Sequence, residues 1–412
     1  MVQDEFFHHR FGNGFTLVAE RMRGVRSAAF TLLLPCGAAF DPPQRGGLAA
    51  LLVDYVFRGA GARTSRQVRT DLDNLGLQWG ESVETIHSSF FAATLARSLI
   101  PSLEIYSEIV RHPRLPDSEA EAVRALALQE LQALEDEPRQ KIFVELRSRH
   151  YPYPFGRPTV GLREVLESAS HKELVQHHAQ TYQPNGAILG VAGDIDWPEL
   201  RDGTARLFGD WAPRQRSPLE TGPRGARTDH IEHDSAQTQI GIAFDTVPYR
   251  DAEYFTAQGA VSVLSGGSSS RLFTEVREKR GLCYAVYASY HSLLDLGSVV
   301  CYAGTTNDRA QETLEVTLAE IRRLASGLTA DEVARAQAGL KSSLIMQGES
   351  SSARSTAVAA DWYHLGRVRP LSEMQAGIDA LSPDSILEHL NRHPPRDFTI
   401  VTLGPKPLDI PH

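Results

Sequence analysis

The chain alternates between short apolar runs and longer amphipathic stretches, a pattern that predicts strands and helices. Apolar runs typical of buried strands lie at 14–20, 28–34 and 89–95. Stretches with a helical spacing of apolar residues lie at 47–57, 65–75, 97–111 and 117–137. Because these helices are longer than the strands and do not alternate with them one for one, the pattern favours an α+β fold over a doubly wound parallel sheet.

The second half of the chain repeats the pattern of the first. The strand predicted at 30–34 has a counterpart at 240–244, and the strand at 184–193 has one at 395–404, at offsets of 210 and 211 positions. Helices are predicted again at 252–264, 270–279, 305–325, 329–347 and 351–365.

We therefore expect two homologous halves, each with an antiparallel sheet backed by long helices. A run rich in Pro, Gly and Arg predicts a linker at 214–228. This linker separates an N-terminal domain, 1–213, from a C-terminal domain, 229–412.

Composition and charge exclude several classes of protein. The 412 residues carry a net charge of −9 without a lysine-rich run, which argues against nucleic acid as a partner. The three scattered cysteines are too few for a disulfide framework and form no CxxC pair, so a reducing compartment fits best. The N-terminal segment is acidic and no apolar run reaches about 18 residues, so we expect a cytoplasmic protein without a membrane partner.

Residues 37–60 are the most informative segment of the first half, and they include the apolar helical stretch GLAALLVDYVF. The segment resembles the active-site region of the pitrilysin and mitochondrial processing peptidase family of zinc peptidases, where Gly-Leu-Ala is followed by His-x-x-Glu-His. Here Ala50 and Asp54 occupy the two histidine positions, and Val53 occupies the glutamate position. The resemblance also implies a further metal ligand, a Glu about eighty residues downstream, and Glu130 lies at that place.

These differences remove the chemistry of the family's zinc site. Two histidines at i and i+4 hold zinc through neutral imidazoles, and the glutamate between them is the general base for the metal-bound water. Ala50 and Val53 supply neither a lone pair nor a base. Asp54 and Glu130 alone suit a hard cation weakly and zinc poorly, and they are otherwise a helix-end Asp and a surface Glu. We therefore expect no metal in this chain and no peptidase activity from it alone.

Other segments extend the resemblance over nearly the whole chain. Residues 151–161 are similar to the family's His-Pro-Tyr-Gly-x-Pro segment. Residues 182–185, which precede an apolar strand and Gly193-Asp194, are similar to its Tyr-x-Pro-x-Asn strand entry. The order and spacing of these segments support the assignment more strongly than any one of them alone.

The segment 270–287 is the sharpest motif of the second half. A helix with basic residues in its last turn ends at a glycine, and a strand follows at once. Such a tight turn can bring the guanidinium of Arg277 and the phenol of Tyr284 to one side. In the family the corresponding Arg and Tyr reach the substrate, where donors aimed at a peptide carbonyl stabilise the developing oxyanion. Alternatively, Arg277 pairs with Glu275 or Glu278, and Tyr284 is a core residue with a satisfied hydroxyl.

Two histidine pairs are competing metal candidates. His230 and His233 enter a predicted strand that splays them, whereas His389 and His393 have helical spacing but no acid between them. Neither pair matches a peptidase arrangement, so we expect no zinc at either. The sequence also contains no Gly-x-Ser-x-Gly elbow, P-loop or Gly-x-Gly-x-x-Gly motif, which argues against serine hydrolases of that type and nucleotide-binding proteins.

These observations favour a non-catalytic subunit of a heterodimeric zinc peptidase. The resemblance implies a partner chain with an intact His-x-x-Glu-His that holds the zinc, and an extended peptide as substrate. It also implies that Arg277 and Tyr284 contact the substrate carbonyl. Two alternatives stay open: a structural homologue like the core proteins of the respiratory cytochrome complex, and a self-sufficient metallopeptidase with a displaced metal site.

Overall fold

The computed structural model describes residues 5–215 and 218–410. Asp4 of the acidic N-terminal segment and positions 216 and 217 of the predicted linker lie outside these ranges. The strands are β1 (Glu5–Arg10), β2 (Thr16–Arg21), β3 (Ser27–Leu34), β4 (Gly59–Ala60), β5 (Arg63–Thr64), β6 (Gln78–Val83), β7 (Ser88–Leu95), β8 (Ile188–Gly193), β9 (Thr228–Glu232), β10 (Gln237–Thr246), β11 (Cys283–Ser292), β12 (Gly297–Thr306) and β13 (Thr399–Gly404). The α-helices are α1 (Leu48–Tyr55), α2 (Ser65–Asn74), α3 (Leu99–Arg111), α4 (Ala120–Glu135), α5 (Pro138–His150), α6 (Arg163–Ser168), α7 (His171–Thr181), α8 (Trp197–Phe208), α9 (Tyr254–Ser265), α10 (Ala310–Arg323), α11 (Ala330–Gly348), α12 (Ser351–Leu365), α13 (Leu371–Asp379) and α14 (Pro383–Arg392).

The described residues form two compact units, each with one large sheet backed by helices. The first unit consists of the described residues up to Ala133, those of Tyr153–Thr221, and Gln347–Arg369. The second consists of Leu134–Pro152, Gly222–Met346 and the described residues from Pro370 onwards. The predicted α+β fold with two homologous halves is confirmed.

The two sheets share one topological rule. The strand order is β1-β2-β8-β3-β7-β6 in the first sheet and β11-β12-β10-β13-β9 in the second. In each sheet the last strand of the half, β8 or β13, is antiparallel to one neighbour and parallel to the other, while all remaining pairs of these two sheets are antiparallel. This shared arrangement agrees with the repeat predicted from the sequence.

Each half of the sequence contributes one helix to the compact unit that is formed mainly by the other half. Helix α12 packs on β8 and β3 of the first unit, and helix α5 packs on β10 and β13 of the second. Glycines permit the close approach, since a Cβ at Gly190 would lie 2.5 Å from the carbonyl oxygen of Ser355, and one at Gly241 would lie 3.2 Å from Ile142. The compact units therefore follow packing, whereas the boundary predicted at 214–228 follows sequence order alone.

Most predicted helices are present with their ends shifted by a few residues, and 351–365 coincides with α12. Two differ in kind. The predicted helix 305–325 begins as the end of β12, because Thr305 pairs with Thr238 of β10 and Cys283 of β11, and α10 follows only at Ala310. The predicted helix 270–279 contains a π-helical segment, Phe273–Glu278. Among the described residues, no helix combines the length and apolar character needed to cross a membrane.

Candidate functional site

Helix α1 is anchored at its N-terminus by a buried carboxylate. The side chain of Asp41 accepts the backbone N–H groups of Gly47 at 2.6 Å and Ala49 at 2.9 Å, and N–H groups at this end of a helix have no partner within the helix. Gly47 has a φ of +126°, a conformation that glycine adopts at little cost. These contacts fix the helix that carries the three positions of the degenerate zinc motif.

The three positions line a cleft of about 220 Å³ formed by α1, β6, α4 and residues 159–160. Ala50, Val53 and Asp54 lie on one wall, and Glu130 of α4 lies on another. The structure therefore brings together all four first-half positions that the sequence indicated. It adds Glu81 of β6, which the sequence analysis missed because no local pattern relates this strand residue to a distant helix.

The electrostatics of this cleft are dominated by three carboxylates. Asp54 accepts hydrogen bonds from Nε and Nη2 of Arg58 at 3.1 and 2.7 Å, which offset part of its negative charge. Burial, and then the neighbouring Asp54, raise the pKa of Glu81 to about 7 against the opposing effect of Arg69. The same two causes raise the pKa of Glu130. These acids therefore hold protons at pH values where a surface carboxylate is ionised.

The residues of the cleft do not fit the zinc ion of the zinc peptidases. Ala50 and Val53 contribute a methyl and an isopropyl group, and no residue that lines the cleft in the described part of the chain is a His or a Cys. Zinc sites are built chiefly from imidazole and thiolate ligands, and the carboxylate of Asp54 is already bound to Arg58. This donor set offers neither the ligands nor the general base of the peptidase reaction.

Arg277 and Tyr284 are neighbours on the surface of the second unit. The guanidinium carbon of Arg277 lies 5.6 Å from the centre of the Tyr284 ring and 4.8 Å from that of Phe273. The register of β11 shifts between Cys283 and Ala285, so a bulge presents the tyrosine outwards. Tyr284 as a whole residue is 83% exposed. The tight turn thus places the two side chains together, as the sequence predicted, and their role in substrate contact stays a prediction.

The alternative interpretation of this pair does not match the structure. Glu275 binds Lys279 at 2.8 Å and Arg280 at 2.9 Å, and no ion pair involves Arg277 within the ranges that the structure describes. Tyr284 is too exposed to be a core residue. Both side chains are therefore available to a binding partner.

The two histidine pairs differ from each other. His230 lies on β9, where its Nδ1 is 2.9 Å from the hydroxyl of Thr402, and His233 comes after the strand ends. His389 and His393 instead approach Glu253, an acid that is distant in the sequence. Because Glu253 lies 136 positions before His389, no local sequence pattern relates it to the pair.

Comparisons with known proteins agree with one another. The family model Insulinase (Peptidase family M16) matches residues 16–161, and the model Peptidase M16 inactive domain matches 168–340. An uncharacterized zinc protease of Rickettsia felis is 25% identical over 409 residues, which is 99% of each chain.

Two solved structures illustrate how widely the fold is shared. The crystal structure of a peptidase M16 inactive domain from Pseudomonas fluorescens superposes with a TM-score of 0.87 at 20% identity, and 99% of each chain is covered. A chain of complex III2 from Candida albicans superposes with a TM-score of 0.82 at 18% identity, covering 97% of this chain and 95% of that one. Since two models of one family match successive segments that together span well over half of its length, this chain belongs to peptidase family M16, the pitrilysin family.

Proposed function

We propose that this chain is a non-catalytic M16 subunit that works with a separate chain carrying His-x-x-Glu-His and zinc. The observation that carries the proposal is the cleft beside α1, where Ala50 and Val53 stand at a ligand position and at the general-base position. Water activation then takes place on the partner chain. This chain supplies part of the wall around an extended peptide and donors for its carbonyl groups.

The state of Arg277 and Tyr284 supports this division of labour. A donor that stabilises an oxyanion must not already be bound to a carboxylate of its own chain. Arg277 contacts aromatic rings, and the neighbouring acid Glu275 is bound by other cations. Both proposed donors are thus available, the fork of Arg277 and the hydroxyl of exposed Tyr284.

Two further observations agree with the proposal. One of the matching family models describes an inactive domain, and the Rickettsia felis relative is named a zinc protease, which together suit an inactive chain in a proteolytic complex.

A second candidate function is a purely structural role in a larger assembly. The similarity to a chain of complex III2 favours it, although at 18% identity that similarity establishes the fold alone. An assembly role has no need of an exposed phenol beside a guanidinium that makes no ion pair within the described part of the chain. We therefore prefer the peptidase subunit.

The test is a reconstitution with unstructured peptides as substrates. The chain is purified alone and mixed with a chain of similar length from the same organism that carries His-x-x-Glu-His. We expect cleavage by the mixture only. Arg277→Ala or Tyr284→Phe in this chain lowers kcat/KM on the order of 10²-fold, because each removes one donor to the transition state.

Arg280→Ala is the matched control, since Arg280 lies in the same segment but is bound to Glu275. It leaves the cleavage rate within about twofold of the unmodified mixture. Two results contradict the proposal: hydrolysis by the isolated chain at an ordinary enzymatic rate, or a mixture in which neither Arg277→Ala nor Tyr284→Phe slows cleavage.

A further inference from the structure

The second unit contains two histidines and a glutamate that converge on one point. His389 lies in the last turn of α14, and His393 follows that helix at its C-terminal cap, four positions on. Their rings are on the same side, with centroids 5.1 Å apart. Glu253 is the residue that precedes α9, and its carboxylate reaches both rings from that neighbouring helix.

The distances between the candidate ligand atoms suit a small metal ion. Oε2 of Glu253 lies 2.7 Å from Nδ1 of His389 and 3.7 Å from Nε2 of His393. One ligand atom from each of the three residues can be chosen so that all lie within 4.8 Å of one another. In a tetrahedral zinc site with bonds of about 2.0 to 2.1 Å, neighbouring ligand atoms are about 3.3 Å apart. The distances of 2.7 and 3.7 Å are within about 0.6 Å of that spacing, and rotamer adjustments of up to about 1.5 Å would bring all three atoms to it.

We propose that Glu253, His389 and His393 form a zinc site that is separate from the degenerate peptidase motif. Two imidazoles and one carboxylate are a ligand set that zinc accepts, whereas magnesium and calcium prefer oxygen ligands alone. The half-exposed face beside His393 leaves the fourth position to water. The ion links α9 to α14. This inference does not depend on the proposed peptidase role.

Zinc binding at His389 requires the ring proton to shift between the two nitrogens. In the absence of metal, Nδ1 of His389 and Oε2 of Glu253 form a hydrogen bond. When zinc binds Nδ1, the ring proton moves to Nε2, and the imidazole stays neutral.

The guanidinium of Arg392 competes with a metal ion for the carboxylate of Glu253. Nη1 of Arg392 lies 2.6 Å from Oε1 of Glu253, the other oxygen of the same carboxylate. Its side chain is 52% exposed and can turn into solvent when a divalent ion arrives. If the site binds no metal, Glu253 only links α9 to α14 through hydrogen bonds. A zinc site and such a hydrogen-bonded link predict different responses to added zinc.

The experiment titrates the full chain with Zn²⁺ alone, after removal of metals with a chelator. Isothermal calorimetry gives the stoichiometry and affinity, and Co²⁺ substituted for Zn²⁺ reports the geometry through its visible absorption. We expect one ion per chain with a dissociation constant in the micromolar range or tighter, the intense absorption of tetrahedral Co²⁺, and a melting temperature that rises with zinc.

The variants separate the site from adventitious binding. His393→Ala removes a ligand whose side chain is 39% exposed, so the fold is retained, and Glu253→Gln removes the anionic ligand. Each should weaken zinc binding at least 100-fold and abolish the rise in melting temperature. Arg392→Gln should tighten binding several-fold, because it removes the opposing charge.

His233→Ala is the matched control, because it removes a partly exposed histidine elsewhere in the same unit. It should leave zinc affinity unchanged. The proposal is overturned if the unmodified chain binds no zinc, or if His393→Ala and Glu253→Gln bind it as well as the unmodified chain. It is also overturned if His233→Ala weakens binding as much as they do.

Discussion

Arg354 on α12 donates through Nε to Oε2 of Glu20 on β2 at a distance of 2.7 Å, although 334 positions separate the two residues in the chain. Both side chains are almost completely buried. Beside them, Val358 and Ala359 of α12 pack on apolar residues of the first sheet. The ion pair therefore helps to hold a helix from the second half of the sequence on the sheet of the first unit.

Breaking this pair should destabilise the protein strongly. Arg354→Met removes the guanidinium that binds the buried carboxylate of Glu20, which costs about 3 to 5 kcal/mol of the free energy of unfolding. Glu20→Leu combined with Arg354→Met should recover most of the loss, since the buried carboxylate is removed as well. Urea unfolding followed by circular dichroism measures both.

An exposed ion pair of the same unit is the control for this experiment. Arg206 and Glu104 are 3.2 Å apart, and at least half of each side chain is exposed. Arg206→Met should cost less than about 1 kcal/mol. Equal effects of Arg206→Met and Arg354→Met would show that the buried pair has no special role.

The same helix shows what the sequence could predict and what it could not. Its limits, 351–365, follow from local periodicity, which reports the apolar face and the cap. Which sheet that face covers depends on contacts with strands hundreds of positions away, such as that of Thr31 with Ser355. The sites behave in the same way: the turn around Arg277 and Tyr284 is local and was predicted, whereas Glu81 and Glu253 join their sites only through tertiary packing.

Glu81 should make the stability of the first unit fall as the pH rises from about 4.5 through 7. Its pKa is about 7 in the folded protein against a usual 4.5, so folding favours the protonated acid. The stabilisation is complete below about pH 4.5 and is lost as the pH rises through 7. Glu81→Gln should therefore gain about 1 to 2 kcal/mol at pH 8, allowing for solvent screening, and almost nothing at pH 5.

Urea unfolding at the two pH values checks this, with Glu121→Gln as the control because the side chain of Glu121 is largely exposed. If Glu81→Gln gave the same gain at pH 5 and pH 8, ionisation of Glu81 would not be its cause.

His150 should contribute to acid unfolding of the second unit. Burial lowers its pKa to about 4, with Arg224, Arg227 and His291 acting in the same direction and Asp245 against them. Its ring nitrogens lie 3.1 Å from the hydroxyl of Thr399 and 2.9 Å from that of Ser298.

The direction of this pH dependence follows from the coupling between proton binding by His150 and folding. Because the folded protein binds this proton less readily than the unfolded chain, the stabilisation is present above about pH 6.5 and is lost as the pH falls towards 4. His150→Gln should reduce the slope of stability against pH in that interval, whatever its effect at pH 7. Melting temperatures measured in steps of pH give the slope, and the exposed His112→Gln is the control. A slope unchanged by His150→Gln would contradict the assignment.

Arg277 and Tyr284 should matter for turnover and not for stability. Tyr284 is 83% exposed, and the side chain of exposed Arg277 makes ring contacts and no ion pair with the described residues, so Tyr284→Phe and Arg277→Ala should each change the free energy of unfolding by less than about 0.5 kcal/mol. A residue kept for folding shows the reverse, a loss of stability with a proportionate loss of activity. Measuring urea unfolding and peptide cleavage on the same preparations separates the two cases. If either variant lost 2 kcal/mol or more, its effect on cleavage would reflect folding, and the exposed surface around the bulge of β11 would no longer count as support for a substrate contact.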